Sequence, residues 1–322
     1  MEKYPPLVNI RHPFLQLVIA ILLIVPFYFL VMMVGVGLIG PLFHINAMDF
    51  ITALNDNTDA LKGTPAFISA LKFLQGISEM VFLAPALVFA LMMGPKNNFL
   101  KLNRSTYLIP VLLALAIIIT AQPIVAYLQD LNENMQLPAY MHGIMNWMRD
   151  AQNKADAISE ILLKMPDLKS LIINIVIVAA IPAFCEEAFF RGTIQQILGK
   201  WIQNKHVVVW TTAIIFSAVH GEFFGFVPRM VLGAVLGYLF LWSGNLWYSI
   251  IGHMTNNGLG VIVSYLYQAK IISYNPDSND TGPMWLTVSA TILMIGAIII
   301  YHNYFKHHPP DSEEEEMLEA EI

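Results

Sequence analysis

Eight apolar runs cross this chain, and they restrict its fold more than any other feature. A bilayer core of roughly 30 Å is spanned by about 20 apolar residues in a helix. Measured that way, the runs are 14–40, 66–93, 107–128, 171–198, 207–220, 230–242, 246–269 and 285–305. The fifth and sixth are short, so tilt, extension at their ends or shelter inside a bundle must complete the crossing. Composition agrees: of 322 residues, 57% are hydrophobic and 12% charged, against roughly 25% charged in soluble domains. The expected class is an all-α, polytopic membrane protein with a helical bundle over residues 1–305. The first run is too long for the apolar stretch of a cleavable signal, and no small-residue cleavage site follows it.

The net charge of −6 is misleading. Segment 306–322 holds Asp311, Glu313, Glu314, Glu315, Glu316, Glu319 and Glu321, and reads as a solvated, disordered cytoplasmic tail. The rest is nearly balanced. No basic patch with interleaved aromatics is present, so no nucleic-acid partner is expected. The single cysteine, Cys185, rules out an internal disulfide and a cysteine-cluster metal site.

Short loops rich in Lys and Arg face the cytoplasm. With the N-terminus inside, Lys3, Arg11, Lys96, Lys101, Arg104, Arg191, Lys200, Lys205 and Lys306 fall on that side. The expected location is the cell membrane, with both termini cytoplasmic. Segment 129–169 is then an outer extramembrane loop. Its Met-rich sequence, with helical spacing after Asp150, reads as an amphipathic helix on the membrane surface or as a lid over an entrance.

Charged groups inside the spans carry the functional signal, because each costs roughly 2.5–3.5 kcal/mol to insert. The fourth run contains CEEAFFRG, with Glu186, Glu187 and Arg191; the fifth ends in FSAVH, with Phe216 and His220; the seventh contains HMTNN, with His253, Asn256 and Asn257. Glu187 and Arg191, four apart, share a face and can pair. Glu186 lies roughly 100° further round and is free to face a cavity. His253 and Asn257 again share a face. Taken singly, each group has a plain structural reading: a stitching ion pair, an interhelical hydrogen bond or a packed ring. The unpaired Glu186 resists such a reading most.

Two chemistries fit the set. A water between Glu186 and His220 can be activated against a carbonyl, with His253 and Asn257 donating to the oxyanion. Alternatively, Glu186, His220 and His253 form a two-histidine, one-carboxylate set of the kind that holds catalytic zinc. HExxH, the helix-borne zinc motif, is absent. Lys72 and Glu79, two turns apart in the second run, read as a loose pair or as snorkelling side chains.

These motifs resemble EExxxR, FxxxH and HxxxN of the CPBP intramembrane proteases, also called Abi, a group that includes the type II CAAX prenyl endopeptidases. The likeness covers about residues 170–260, including the SGNLW turn before the last motif. It implies an eight-helix bundle with an intramembrane active site. Glu186 would be the catalytic glutamate and His220 its partner on the water. His253 and Asn257 would form the oxyanion site or, in an older view, contribute to a metal site, with zinc the implied ion. Glu187 and Arg191 would be structural support. The implied partner is a membrane protein or peptide substrate, of the lipid-modified CAAX kind in the founding members. Two other readings stay open: a non-catalytic scaffold or bacteriocin-immunity protein of the same fold, and a proton-coupled transporter, against which stands the lack of an inverted repeat.

Overall fold

A computed structural model describes residues 10, 12–55, 59–93, 99–276 and 281–309. Its main helices are α1 (Pro13–Phe43), α2 (Pro65–Met93, in two pieces that meet at Glu79), α3 (Leu108–Glu133), α4 (His142–Leu162), α5 (Leu168–Trp201), α6 (Lys205–Ala218), α7 (Phe226–Ser243), α8 (Leu246–Gln268) and α9 (Met284–His307). No strand occurs among the described residues. Six of these helices, α1, α2, α3, α5, α7 and α9, are long and apolar enough to cross a membrane. The sequence reading expected eight spans. The shortfall has two causes. Helix α6 has 14 residues, and α8, though 23 residues long, carries Ser249, His253, Thr255, Asn256 and Asn257, which dilute its hydropathy.

Local chemistry sets the helix ends. Asn204, Asp167 and Asn245 cap α6, α5 and α8 by accepting backbone N–H bonds, and Thr64 followed by Pro65 starts α2. The SGNLW turn works in the same way. Gly244 takes the left-handed conformation at φ 57° to end α7, and Asn245 Oδ1 accepts from Trp247 N at 3.0 Å.

Side-chain contacts define two ends of the bundle. At one, Asn245 Nδ2 donates to Ser105 O at 3.0 Å and Trp247 Nε1 to Leu102 O at 2.9 Å. The ends of α7 and α9 and the starts of α3, α6 and α8 lie here, with Lys101, Arg104, Lys200, Lys205 and Lys306. At the other end, Asn132 Nδ2 donates to Phe224 O at 2.6 Å, and Gln268 Nε2 donates to Leu163 O at 2.8 Å. Helix α4 docks there, starting at His142 rather than after Asp150. Trp147 packs on Phe223 with ring centroids 4.9 Å apart, and Arg149 lies 4.1 Å above the Phe224 ring. Lys3, Arg11, Lys96 and the acidic residues of the tail lie outside the described residues.

Helices α6 and α7 approach closely because α7 carries GAVLG, small residues four apart. A Cβ on Gly237 would stand 2.9 Å from Val209 Cγ1 and 3.0 Å from Gln195 Oε1. Gly237→Val is therefore expected to destabilise by about 1–3 kcal/mol through overpacking, visible as a lower melting temperature in detergent. An unchanged melting temperature would show that the contact gives way freely.

Candidate active site

The site is assembled from α5, the end of α6, and α8, with α7 behind. Helix α5 is not a uniform α-helix. Two π-helical stretches, Ile175–Ala180 and Phe190–Gln195, flank the α-helical Ile181–Phe189 that carries both glutamates. A π stretch adds a residue to the turn and loosens the carbonyl ladder, a feature common at functional sites. Side chains bond to carbonyls in and beside these stretches. Val178 O accepts from Asn257 Nδ2 at 3.2 Å, and Ala188 O accepts from Thr193 Oγ1 at 3.1 Å.

Glu187 and Arg191 are both completely buried. Arg191 Nη1 donates to Glu187 Oε1 at 2.5 Å, and Nη2 donates to Gly233 O at 2.7 Å. The guanidinium lies 4.6 Å from the centroid of the Phe216 ring. That ring also stands edge-on to His220 at 5.0 Å and to His253 at 5.8 Å. Phe216 thus forms one wall for the cation and both imidazoles, a larger part than packing alone.

The hydrogen bonds fix both histidine tautomers when the rings are neutral. His220 follows the end of α6, and its Nδ1 meets Phe216 O at 2.7 Å. A carbonyl only accepts, so Nδ1 carries the proton and Nε2 keeps its lone pair. The FxxxH spacing therefore supplies a ring and an orienting carbonyl from one residue. His253 Nδ1 meets Glu187 Oε1 at 2.9 Å, and by the same logic donates to it. Its Nε2 is also left as an acceptor.

Both Nε2 atoms face Glu186. His220 Nε2 is 3.8 Å and His253 Nε2 is 3.9 Å from Glu186 Oε2. That oxygen is buried and has no hydrogen-bond partner among the described residues. Three acceptors thus surround one point, at separations too long for direct bonds. A water donating to two of them would satisfy the arrangement. The donor set is also chemically right for zinc. Among the described residues, however, no group of three His, Cys, Asp or Glu is placed to hold a metal ion.

The other sequence candidates are placed differently. Asn257 shares the His253 face but spends its amide on Val178 O and accepts from Asn256 Nδ2 at 3.2 Å, away from the trio. Lys72 and Glu79 do not pair. Lys72 Nζ donates to Lys164 O at 3.1 Å, while Glu79 Oε1 accepts from Gln75 at 3.1 Å. Glu222, in the turn after His220, forms an ion pair with Arg229 in the first turn of α7. Cys185 is free and buried. Sequence reasoning missed the carbonyls of Gly233 and Gly237, which accept from Arg191 and from Gln195 Nε2 at 3.0 Å. Backbone acceptors have no residue signature; the GAVLG spacing was the one available hint that α7 runs close to α5 and α6.

A cavity of about 840 Å³ opens between the ends of α3, α4 and α8. Asp130, Glu133, Asp156 and Glu160 are among its lining residues, as is Gln122 at its inner end. Gln122 Nε2 donates to Asn256 Oδ1 at 3.1 Å, joining the cavity to the His253 helix. His253, Asn257, Ser264 and Gln268 fall four, seven and four residues apart along α8, which puts them on one helical face. A polar stripe therefore leads from His253 to the end of the bundle where α4 docks.

Comparison with known proteins adds three findings. No solved structure matches the chain. The uncharacterized protein YpbD of Bacillus subtilis (strain 168) is 29% identical over 89 residues, which is 26% of this chain and 42% of YpbD, so the chain spans less than half of that relative's length. Residues 168–259, which hold every motif of the site, match the family model described as type II CAAX prenyl endopeptidase Rce1-like.

Proposed function

We propose that this protein is an intramembrane endopeptidase that hydrolyses a peptide bond in a membrane-associated protein or peptide, of the lipid-modified CAAX kind that the family description names. One observation carries the reading: the buried, unpartnered Glu186 Oε2 between two imidazole Nε2 atoms at 3.8 and 3.9 Å. A carboxylate there has no structural partner to satisfy, and burying it unpaired is costly. A water in the gap satisfies it and is oriented for attack.

In the proposed reaction, Glu186 takes one proton from the water while His220 Nε2 accepts a hydrogen bond from the other. The water oxygen bonds to the scissile carbonyl carbon, and the carbonyl π electrons move to its oxygen. Collapse of this oxyanion breaks the C–N bond, and Glu186 passes its proton to the leaving nitrogen. His253 donates to the oxyanion from Nε2 only when both its ring nitrogens carry protons, because Nδ1 is held by Glu187. Asn257 joins it only by releasing Val178 O. The polar cavity beside α8 is the proposed approach for the hydrophilic part of the substrate, with α4 as its outer wall.

The test is comparative membrane proteomics of cells carrying the wild-type chain or Glu186→Gln. The expected result is a set of C-termini or peptides produced only with the wild type. Identical peptide sets would count against hydrolysis and favour a scaffold of the same fold. Dialysis of the active protein against a chelator bears on the metal alternative. Retained cleavage is expected, and loss restored by added zinc would reassign Glu186, His220 and His253 as ligands.

A further inference from the structure

A second cavity, of about 530 Å³, lies between α6, α7 and α9 at the basic end of the bundle. Its chemistry is divided. Lys205, His206 and His302 supply the polar side, while Leu241, Ile298 and Ile299 line the other side, with Trp242 between them. Among the described residues no carboxylate lines it. Lys205 and His206 open α6, Leu241 and Trp242 close α7, and His302 lies in the last turns of α9, one turn before Lys306.

The polar side is built rather than scattered. His206 Nδ1 is hydrogen-bonded to Tyr238 Oη at 2.8 Å. Tyr238 stacks on Trp242 with ring centroids 4.9 Å apart, and Trp242 meets His302 edge-on at 4.9 Å. A continuous aromatic ladder therefore fixes both imidazoles around the opening. Trp at the end of a spanning helix marks the depth of lipid headgroups. Below it, Ile298 and Ile299 continue into the apolar run of α9. A lysine flanked by two imidazoles at headgroup depth, above an aliphatic wall, matches an anionic headgroup joined to an acyl chain, and basic pockets between spanning helices are recurrent sites of this kind.

We infer that the α6–α7–α9 cavity is a binding site for an anionic phospholipid of the surrounding bilayer, with the phosphate held by Lys205, His206 and His302 and the acyl chain along Leu241, Ile298 and Ile299. The site lies at the opposite end of α6 from His220, roughly 22 Å away at 1.5 Å per residue. It is independent of the proposed hydrolysis.

Native mass spectrometry of the full-length protein, loaded with phosphatidylglycerol or phosphatidylcholine at equal concentration, tests this. The wild type is expected to retain phosphatidylglycerol preferentially. Lys205→Gln should weaken that preference by about fivefold, for a cation removed at headgroup depth, and His302→Gln, which removes a ring hydrogen-bonding group from the opening, should weaken it by less. Ile299→Trp, which keeps the charges and fills the apolar wall, should weaken binding of the lipid while leaving the fold intact. Glycerophosphoglycerol, the headgroup without chains, should fail to displace the lipid. Equal retention of the two lipids, or unchanged retention in all three variants, would overturn the inference. Complete displacement by glycerophosphoglycerol or inorganic phosphate would do so too, reassigning the site to a soluble phosphate.

Discussion

Arg191→Met is expected to destabilise the protein by about 3–5 kcal/mol, the cost of breaking one side of a buried ion pair. Three interactions go at once: the bond to Glu187 Oε1, the bond to Gly233 O and the contact with the Phe216 ring. The more serious loss is what remains. Glu187 is fully buried, and without Arg191 its carboxylate keeps only the His253 N–H. The Gly233 carbonyl loses its donor as well. Thermal unfolding in detergent, followed as the fraction surviving size-exclusion chromatography, should show a large drop. The double variant Arg191→Met/Glu187→Leu should recover much of it, because the stranded charge is then gone. If the double variant is as unstable as the single one, loss of packing rather than an uncompensated charge is the cause.

Glu186→Gln should behave in the opposite way. Glutamine keeps the shape of the side chain and removes its basicity, so cleavage should fall by about 10²–10⁴-fold, the usual contribution of a general base. Stability should hold or rise, since a desolvated carboxylate oxygen with no partner gives way to a neutral amide. The adjacent glutamates thus separate by direction: one substitution removes activity and spares the fold, while disruption of the Glu187–Arg191 pair damages the fold first. His220→Ala should follow Glu186→Gln in activity. A parallel loss of folded protein for Glu186→Gln would mean that Glu186 is architectural.

Much of this arrangement is legible from spacing alone. The i, i+4 relation of Glu187 to Arg191 becomes the observed ion pair. The angular offset of Glu186 becomes its position facing two imidazoles. The apolar runs map onto helices, with ends set by Asn204, Asn245 and Gly244. What spacing hides is of two kinds. Lys72 and Glu79 look like partners in one dimension, but the break in α2 at Glu79 and the approach of Lys164 send them apart. Asn257 looks like an oxyanion donor, but the Val178 carbonyl, in a π-helical stretch, takes its amide. Neither a helix break nor a π turn is written in the residue period that sequence reasoning uses. The link between His253 and Glu187 is a tertiary contact across 66 positions, and no local pattern encodes it.

The central claim is that Glu186 activates a water for peptide hydrolysis. Its most direct test is a single-turnover assay of the purified, reconstituted protein on a peptide identified by proteomics, run in H₂¹⁸O with mass spectrometry of the product. The wild type is expected to place one ¹⁸O in the newly formed carboxyl end, and Glu186→Gln to give no product above background while remaining folded. Product formed by folded Glu186→Gln at the wild-type rate would contradict the account.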